Sequence, residues 1–143
     1  MGSGGADEPS GVFVKTCGTM EIYREFILEA AHRLPNVPAG HKCGRIHGHS
    51  FKVAIHVGGS VGAESGWVMD FAGIKDVFQP IYRRLAHNYL NEIEGLENPT
   101  SEVLARWIWR QLHPKLPSLV KVIVNETCNS GCIYLGEEDE YGD

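Results

Sequence analysis

Apolar and polar side chains alternate from Met20 to Ala31. Ile22, Phe26, Leu28 and Ala30 share one side, and Glu21, Glu25 and Glu29 share the other. Residues two apart point the same way in a strand, so this segment reads as a strand with one buried face. The alternation returns from Ser50 to Val57, with Phe51, Val53, Ile55 and Val57 inward and Ser50, Lys52 and His56 outward. The loop between them carries Pro35, Pro38, Gly40, Gly44 and Gly48, and Gly58-Gly59 and Gly62 to Gly66 mark turns. The period then changes. Ile74, Val77, Phe78, Ile81 and Leu85 recur at helical spacing over Phe71 to Leu85, with Asp70 placed to cap the start. Pro80, inside this helix, is expected to kink it or remove a hydrogen bond. A second helix, Ser101 to Leu112, buries Leu104, Trp107, Ile108 and Leu112, and Glu102 suits its first turn. Leu119 to Thr127 and Ile133 to Leu135 read as closing strands around a turn at 128–131. The order ββααββ predicts an α+β fold, a four-stranded antiparallel sheet with two helices on one face. Its two open edges and polar second face permit a closed ring of subunits.

A chain of 143 residues suits one domain, here 19–136, with a flexible tail over 1–18 and an acidic tail over 137–143. The hydrophobic content of 43% and charged content of 22% are those of a soluble globular protein. A net charge of −5 with no basic run argues against nucleic acid, though a polyanionic small molecule depends on local charge. No stretch is apolar enough to span a membrane, and the first residues lack the pattern of a secretory signal. Cys17, Cys43, Cys128 and Cys132 then make no disulfide framework, and a reduced, cytoplasmic protein is expected. Cys128 and Cys132 read as structural, small buried hydrophobes beside a turn.

The candidate chemistry lies on the apolar strand faces. His32 continues the inward face of the first strand, and His47 and His49 continue that of the second. Three imidazoles without a fourth protein ligand make a catalytic zinc site, in which water or substrate takes the open position. The alternative for each is a hydrogen-bonded core histidine. His41, His56 and His113 are expected to face solvent. Cys43 precedes His47 by four residues and is flanked by Lys42 and Arg45, whose charge favours a thiolate that acts as base or nucleophile. Its alternative is a fourth ligand that closes the site. Glu126 shares a face with Val120, Val122 and Val124, so it is either a buried anchor for an amidine-like heterocycle or a strand-end carboxylate that turns to water. His87, after the first helix, either complements the helix dipole or exchanges protons with Cys43.

Glu29-Ala-Ala-His32-Arg-Leu, Cys43-Gly-Arg-Ile-His47-Gly-His49, Gly66-Trp-Val-Met-Asp70-Phe, Asn98-Pro-Thr-Ser-Glu102 and Glu126-Thr-Cys together resemble the 6-pyruvoyltetrahydropterin synthase superfamily. The match runs from about Met20 to Gly136. The spacing from Cys43 to His47 is similar to that of the bacterial 6-carboxytetrahydropterin synthase branch, which serves queuosine biosynthesis. The resemblance implies the tunnelling fold, in which three subunits close a barrel and two trimers stack as a homohexamer. It implies zinc on His32, His47 and His49, Cys43 as proton acceptor and His87 as its relay. It further implies Glu126 on the pyrimidine edge of a pterin triphosphate, with Thr100, Ser101 and Thr127 nearby. The reaction implied is conversion of 7,8-dihydroneopterin triphosphate to 6-carboxy-5,6,7,8-tetrahydropterin, with acetaldehyde and triphosphate released. Elimination to the pyruvoyl product, or a pterin-binding module with impaired catalysis, are the alternatives. One departure stands out: the family commonly has aspartate before the relay histidine, and this chain has Ala86.

Overall fold

The computed structural model describes residues 19–137, so the tail over 1–18, Cys17 and all but the first residue of the acidic tail lie outside the described residues. The elements are β1 (Thr19–His32), β2 (His47–Ser60), α1 (Phe71–Leu85), α2 (Ser101–Leu112), β3 (Leu119–Thr127) and β4 (Ser130–Tyr134). The four strands form one antiparallel sheet in the order β1-β2-β3-β4, the ββααββ arrangement expected from the pattern. No helix among the described residues is long and apolar enough to cross a membrane.

The strand faces divide as the alternation requires. Leu28, Phe51, Val53, Ile55, Val57, Val122 and Val124 are buried and receive Ile74, Phe78, Ile81 and Leu85 of α1 and Leu104, Trp107, Ile108 and Leu112 of α2. The Asp70 carboxylate accepts the Ala72 N–H at 2.9 Å and starts α1; the Thr100 hydroxyl accepts the Val103 N–H at 3.1 Å and starts α2. Tyr82 ties α1 to the sheet by donating its hydroxyl to the Ile27 carbonyl at 2.8 Å. The helix runs unbroken through Pro80. Pro80 and Asp76, four residues earlier, are both exposed, so water can satisfy the carbonyl that loses its partner.

Several local expectations change. β2 starts at His47 rather than Ser50, because the polar, glycine-containing entry pairs in full with β1: His32 lies opposite His47 and Ala30 opposite His49. Gly58 and Gly59 are strand residues, not a turn. A Cβ would meet Val120 at 3.1 Å from Gly58 and Val68 at 3.2 Å from Gly59, so close packing explains both glycines. β4 starts at Ser130, because the turn shrinks to Cys128-Asn129; the Asn129 side chain holds it by accepting the hydroxyls of Thr127 at 3.0 Å and Ser130 at 3.1 Å. Cys128 is accordingly exposed, while Cys132 packs half-buried against the core. Burial, aided by the charge of Glu102, raises the Cys132 thiol above its ordinary value, against a backbone hydrogen bond from Val124, so it stays a protonated, inert packing group.

His56 is not solvent-facing. Register puts it between Tyr23 and Lys121, where its ring stacks on Tyr23 at 4.9 Å and its Nδ1 meets Glu21 Oε1 at 3.1 Å. Lys121 Nζ lies 3.1 Å from the same oxygen. His113 is exposed and stacks on Trp109 at 5.1 Å.

Candidate active site

The ends of three strands and the start of one helix meet at one corner of the sheet. His32 closes β1, His47 and His49 open β2, and the β1–β2 register sets all three on the inward face. Their ring centroids stand 4.6, 5.0 and 4.8 Å apart, with Phe51 edge-on beneath His32 and tilted beside His49. Glu126 enters from the end of β3, at a register shift between Asn125 and Thr127 in the β3–β4 ladder. A bulge of this kind re-aims a side chain that regular pairing would hold. One ligand atom from each of His32, His47, His49 and Glu126 falls within 4.8 Å of the others.

The backbone fixes which nitrogen faces inward. His32 Nδ1 lies 2.8 Å from the Pro99 carbonyl, and His47 Nδ1 lies 2.6 Å from the Arg45 carbonyl. A carbonyl only accepts, so each Nδ1 carries the proton and each Nε2 presents a lone pair. His32 is fully buried and, among the described residues, its Nε2 is the buried side-chain atom left without a hydrogen bond. Burial holds His32 below the ordinary imidazole value, outweighing the Pro99 bond that favours the cation, so the ring stays in its neutral, ligating form. A divalent metal accounts for this orphaned atom and for the carbonyl-locked rings together, and the nitrogen-rich donor set fits one.

Glu126 divides its two oxygens. Oε2 lies 2.9 Å from His49 Nε2 and 3.7 Å from His32 Nε2, while Oε1 accepts the Ser101 hydroxyl at 2.9 Å. The carboxylate therefore turns into the site, not out to water. Cys43 sits half-buried in a short 3-10 turn, Lys42–Gly44, with its N–H donated to His41 Nδ1 at 3.0 Å. It lines a recess of about 390 Å³ with Lys42, His47, His49, Glu126 and Thr127, yet it is not one of the residues whose ligand atoms converge. That geometry speaks against Cys43 as a fourth ligand.

His87 is placed elsewhere. It is exposed and lines a second recess of about 580 Å³ with Glu29, Ala30, Gly48, His49 and Ser50, a space that Cys43 does not reach. It adopts φ 60°, the left-handed region, as the first residue beyond the Ala86 cap of α1. The next residues run along the free edge of β1: the His87 N–H donates to the Glu29 carbonyl at 2.6 Å and the Ala31 N–H to the Asn88 carbonyl at 3.0 Å. Thr100 commits its hydroxyl to the α2 cap, Ser101 is buried against Glu126, and Thr127 is exposed beside the hairpin turn. The carbonyls of Pro99 and Arg45 and the Ser101–Glu126 bond went unforeseen. The signal that this segment would face the site was the Asn98-Pro-Thr-Ser-Glu102 motif, through which the resemblance implies Thr100 and Ser101 near the pterin.

The model of the 6-pyruvoyl tetrahydropterin synthase family matches residues 21–137. The chain belongs to that family. It is 44% identical over 119 residues to a Synechocystis protein named 6-carboxy-5,6,7,8-tetrahydropterin synthase, covering 79% of this chain and 91% of that one. A Bacillus subtilis protein of the same name is 31% identical over 128 residues, covering 81% and 85%. The 6-pyruvoyl tetrahydropterin synthase of Caenorhabditis elegans superposes with a TM-score of 0.77 at 25% identity, over 83% of this chain and 96% of that one. The family is one of enzymes, and the histidine recess is the candidate active site.

Proposed function

We propose that the chain is a zinc-dependent carbon–carbon lyase. It converts 7,8-dihydroneopterin triphosphate and water to 6-carboxy-5,6,7,8-tetrahydropterin, acetaldehyde and triphosphate. The observation that carries this reading is the recess in which Cys43 and Glu126 meet His47 and His49, with the buried His32 converging on the same point, in a chain related to two bacterial proteins named for that product. His32, His47 and His49 hold the zinc through Nε2, and the ion supplies Lewis acidity for the hydroxyls of the substrate side chain.

The chain's own residues do the rest. Glu126, whose Oε2 lies 2.9 Å from His49 Nε2, would accept the paired N–H groups of the pterin's pyrimidine edge. Ser101 keeps the plane of Glu126 fixed from the opposite oxygen, and Thr100 and Thr127 border the ring. Held in this way, the substrate side chain lies against Cys43, which takes a proton from carbon and passes it on. His87 recharges Cys43. The two residues line different recesses that share His49, and the enzyme assembles as a homohexamer of stacked trimers. The product serves queuosine or another 7-deazapurine, and the enzyme works in the cytoplasm.

Incubation of the zinc-loaded protein with 7,8-dihydroneopterin triphosphate, followed by mass spectrometry of the pterin and trapping of acetaldehyde, tests the reaction. A pyruvoyl pterin without acetaldehyde overturns it in favour of triphosphate elimination. Bound pterin with background turnover overturns it in favour of a binding module.

A further inference from the structure

The loop that carries Cys43 has a second side. Arg33, Leu34, Val37, His41, Gly44 and Arg45 line a recess of about 450 Å³ that contains no carboxylate. The sequence around it is biased in the same direction. Between Glu29 and Glu64 the chain has no aspartate or glutamate, yet it places Arg33, Lys42, Arg45 and Lys52 there, in a protein whose net charge is −5. Three of these four cations, together with His41, belong to the loop; Lys52 lies on the opposite face of the sheet beside Asn125.

The hydrogen bonds around the recess leave donors for an anion. Arg33 spends only its Nε on the Gly44 carbonyl, at 2.8 Å, which anchors the guanidinium at the recess wall. His41 Nδ1 accepts the Cys43 N–H, so the neutral ring carries its proton on Nε2, a donor. Of the backbone groups, Pro35 and Pro38 have no N–H, and the N–H groups of His41, Gly44 and Arg45 are spent on carbonyls within the loop, which leaves Val37, Ala39 and Gly40 to add to the side-chain donors. Side-chain cations, one imidazole N–H and these amides form a composition that suits phosphate oxygens.

The recess also adjoins the catalytic one along the chain. Gly44 lines the first and Cys43 the second, adjacent residues whose Cα atoms are about 3.8 Å apart. Lys42 stands in the catalytic recess, and Arg45, whose carbonyl orients His47, lines the other.

We propose that the Arg33–His41–Arg45 recess, with Lys42 at its lip, is the polyphosphate subsite of the enzyme, and that an anion held there fixes the turn bearing Cys43. His41 is the link, since it contacts the phosphate on one nitrogen and the Cys43 amide on the other. Phosphate contacts remote from the reacting carbon would in this way position the base. The inference rests on the proposed substrate, and its test separates the two.

Zinc-loaded wild type, Arg45→Gln and Lys52→Gln are titrated calorimetrically with inorganic tripolyphosphate, with metal content measured before and after. Their KM and kcat are then compared on 7,8-dihydroneopterin triphosphate. Arg45→Gln retains the backbone carbonyl that holds His47. We expect about one tripolyphosphate per wild-type chain, with binding and KM both weakened roughly ten- to hundredfold by Arg45→Gln, the effect of losing a charge-assisted bond. Lys52→Gln should match wild type. The subsite is overturned if wild type does not bind tripolyphosphate, if Arg45→Gln binds it as well as wild type, or if both variants weaken it alike. Specific tripolyphosphate binding without turnover supports the subsite and removes only the reaction assigned above.

Discussion

Removing the metal should lower the melting temperature of this chain by an amount that can be set in advance, and His47→Ala should abolish that response. A ligand that binds only the native state at a hundred to a thousand times its Kd stabilises it by about 2.7–4.1 kcal/mol. Unfolding entropy is about 2.1 cal/mol/K per residue, or roughly 0.25 kcal/mol/K over the roughly 120 described residues. The midpoint should therefore fall by about 11–16 °C when a chelator replaces saturating zinc. His47 is the right residue to change because it is only half-buried. Losing its hydrogen bond to the Arg45 carbonyl costs about 1 kcal/mol, or roughly 4 °C, with or without metal. His32 would be a poor choice: it is fully buried, and its removal leaves a cavity and an unpaired Pro99 carbonyl that confound the reading. Circular dichroism melts at one fixed protein concentration, with zinc and with chelator, suffice, because an oligomer's midpoint also depends on concentration. Chelated wild type melting within about 2 °C of the zinc-loaded form, or His47→Ala keeping the full shift, would refute the assignment.

Cys43→Ala should lower turnover by about 10²–10⁴-fold while zinc stays stoichiometric; loss of metal with the thiol would mean that Cys43 is a ligand. Glu126→Gln should likewise retain zinc but lose pterin affinity, and a drop in bound metal would instead place the carboxylate in the coordination sphere beside His49 and His32. His87→Gly should abolish turnover yet raise the melting temperature, since glycine relieves a left-handed residue of about 1 kcal/mol; a lower midpoint would show that the imidazole has a structural role. Glu21 is lowered from the ordinary carboxylate value, with burial opposing and the bonds from Lys121 and His56 prevailing. A lowered folded-state value gives stability that is present above the unfolded carboxylate range and lost as pH falls through and below it. Glu21→Gln should flatten the acid limb of a stability–pH curve, and an unchanged limb would discount the cluster.

What the chain revealed in advance was whatever depends on period and local chemistry. Alternation fixed the inward faces of β1 and β2, and hence that His32, His47 and His49 point to one side before any pairing is known. Helical spacing gave both helices, and Asp70 gave the start of α1. The misreadings arose where distant partners override local preference. Gly48 and Gly58-Gly59 look like loop residues, but pairing with β1 and close packing against Val120 and Val68 hold them in strand. His56 looks solvated on a polar face, and only the register of three strands sets it between Glu21, Tyr23 and Lys121. The carbonyls that lock His32 and His47 belong to loops, whose course no periodicity encodes.

Two departures from regular structure fall on residues assigned chemistry. Glu126 sits at the register shift of β3, and His87 is the non-glycine residue held at positive φ among the described residues. A sequence generally agrees with its fold at every local level, and the exceptions concentrate where function needs a side chain aimed off the regular lattice. The bulge turns Glu126 toward the histidines, and the left-handed turn lets the chain after α1 lie along the β1 edge with the imidazole exposed. Ala86 belongs to the same turn. It is half-buried against the core, and its N–H closes α1 on the Tyr82 carbonyl. A carboxylate at that position would have to leave apolar surroundings to reach a partner, and nothing of that kind is asked of alanine. The absence of aspartate beside His87 is thus compatible with the packing of α1, and the main chain that carries the imidazole is held by backbone bonds: His87 N–H to the Glu29 carbonyl and Ala31 N–H to the Asn88 carbonyl.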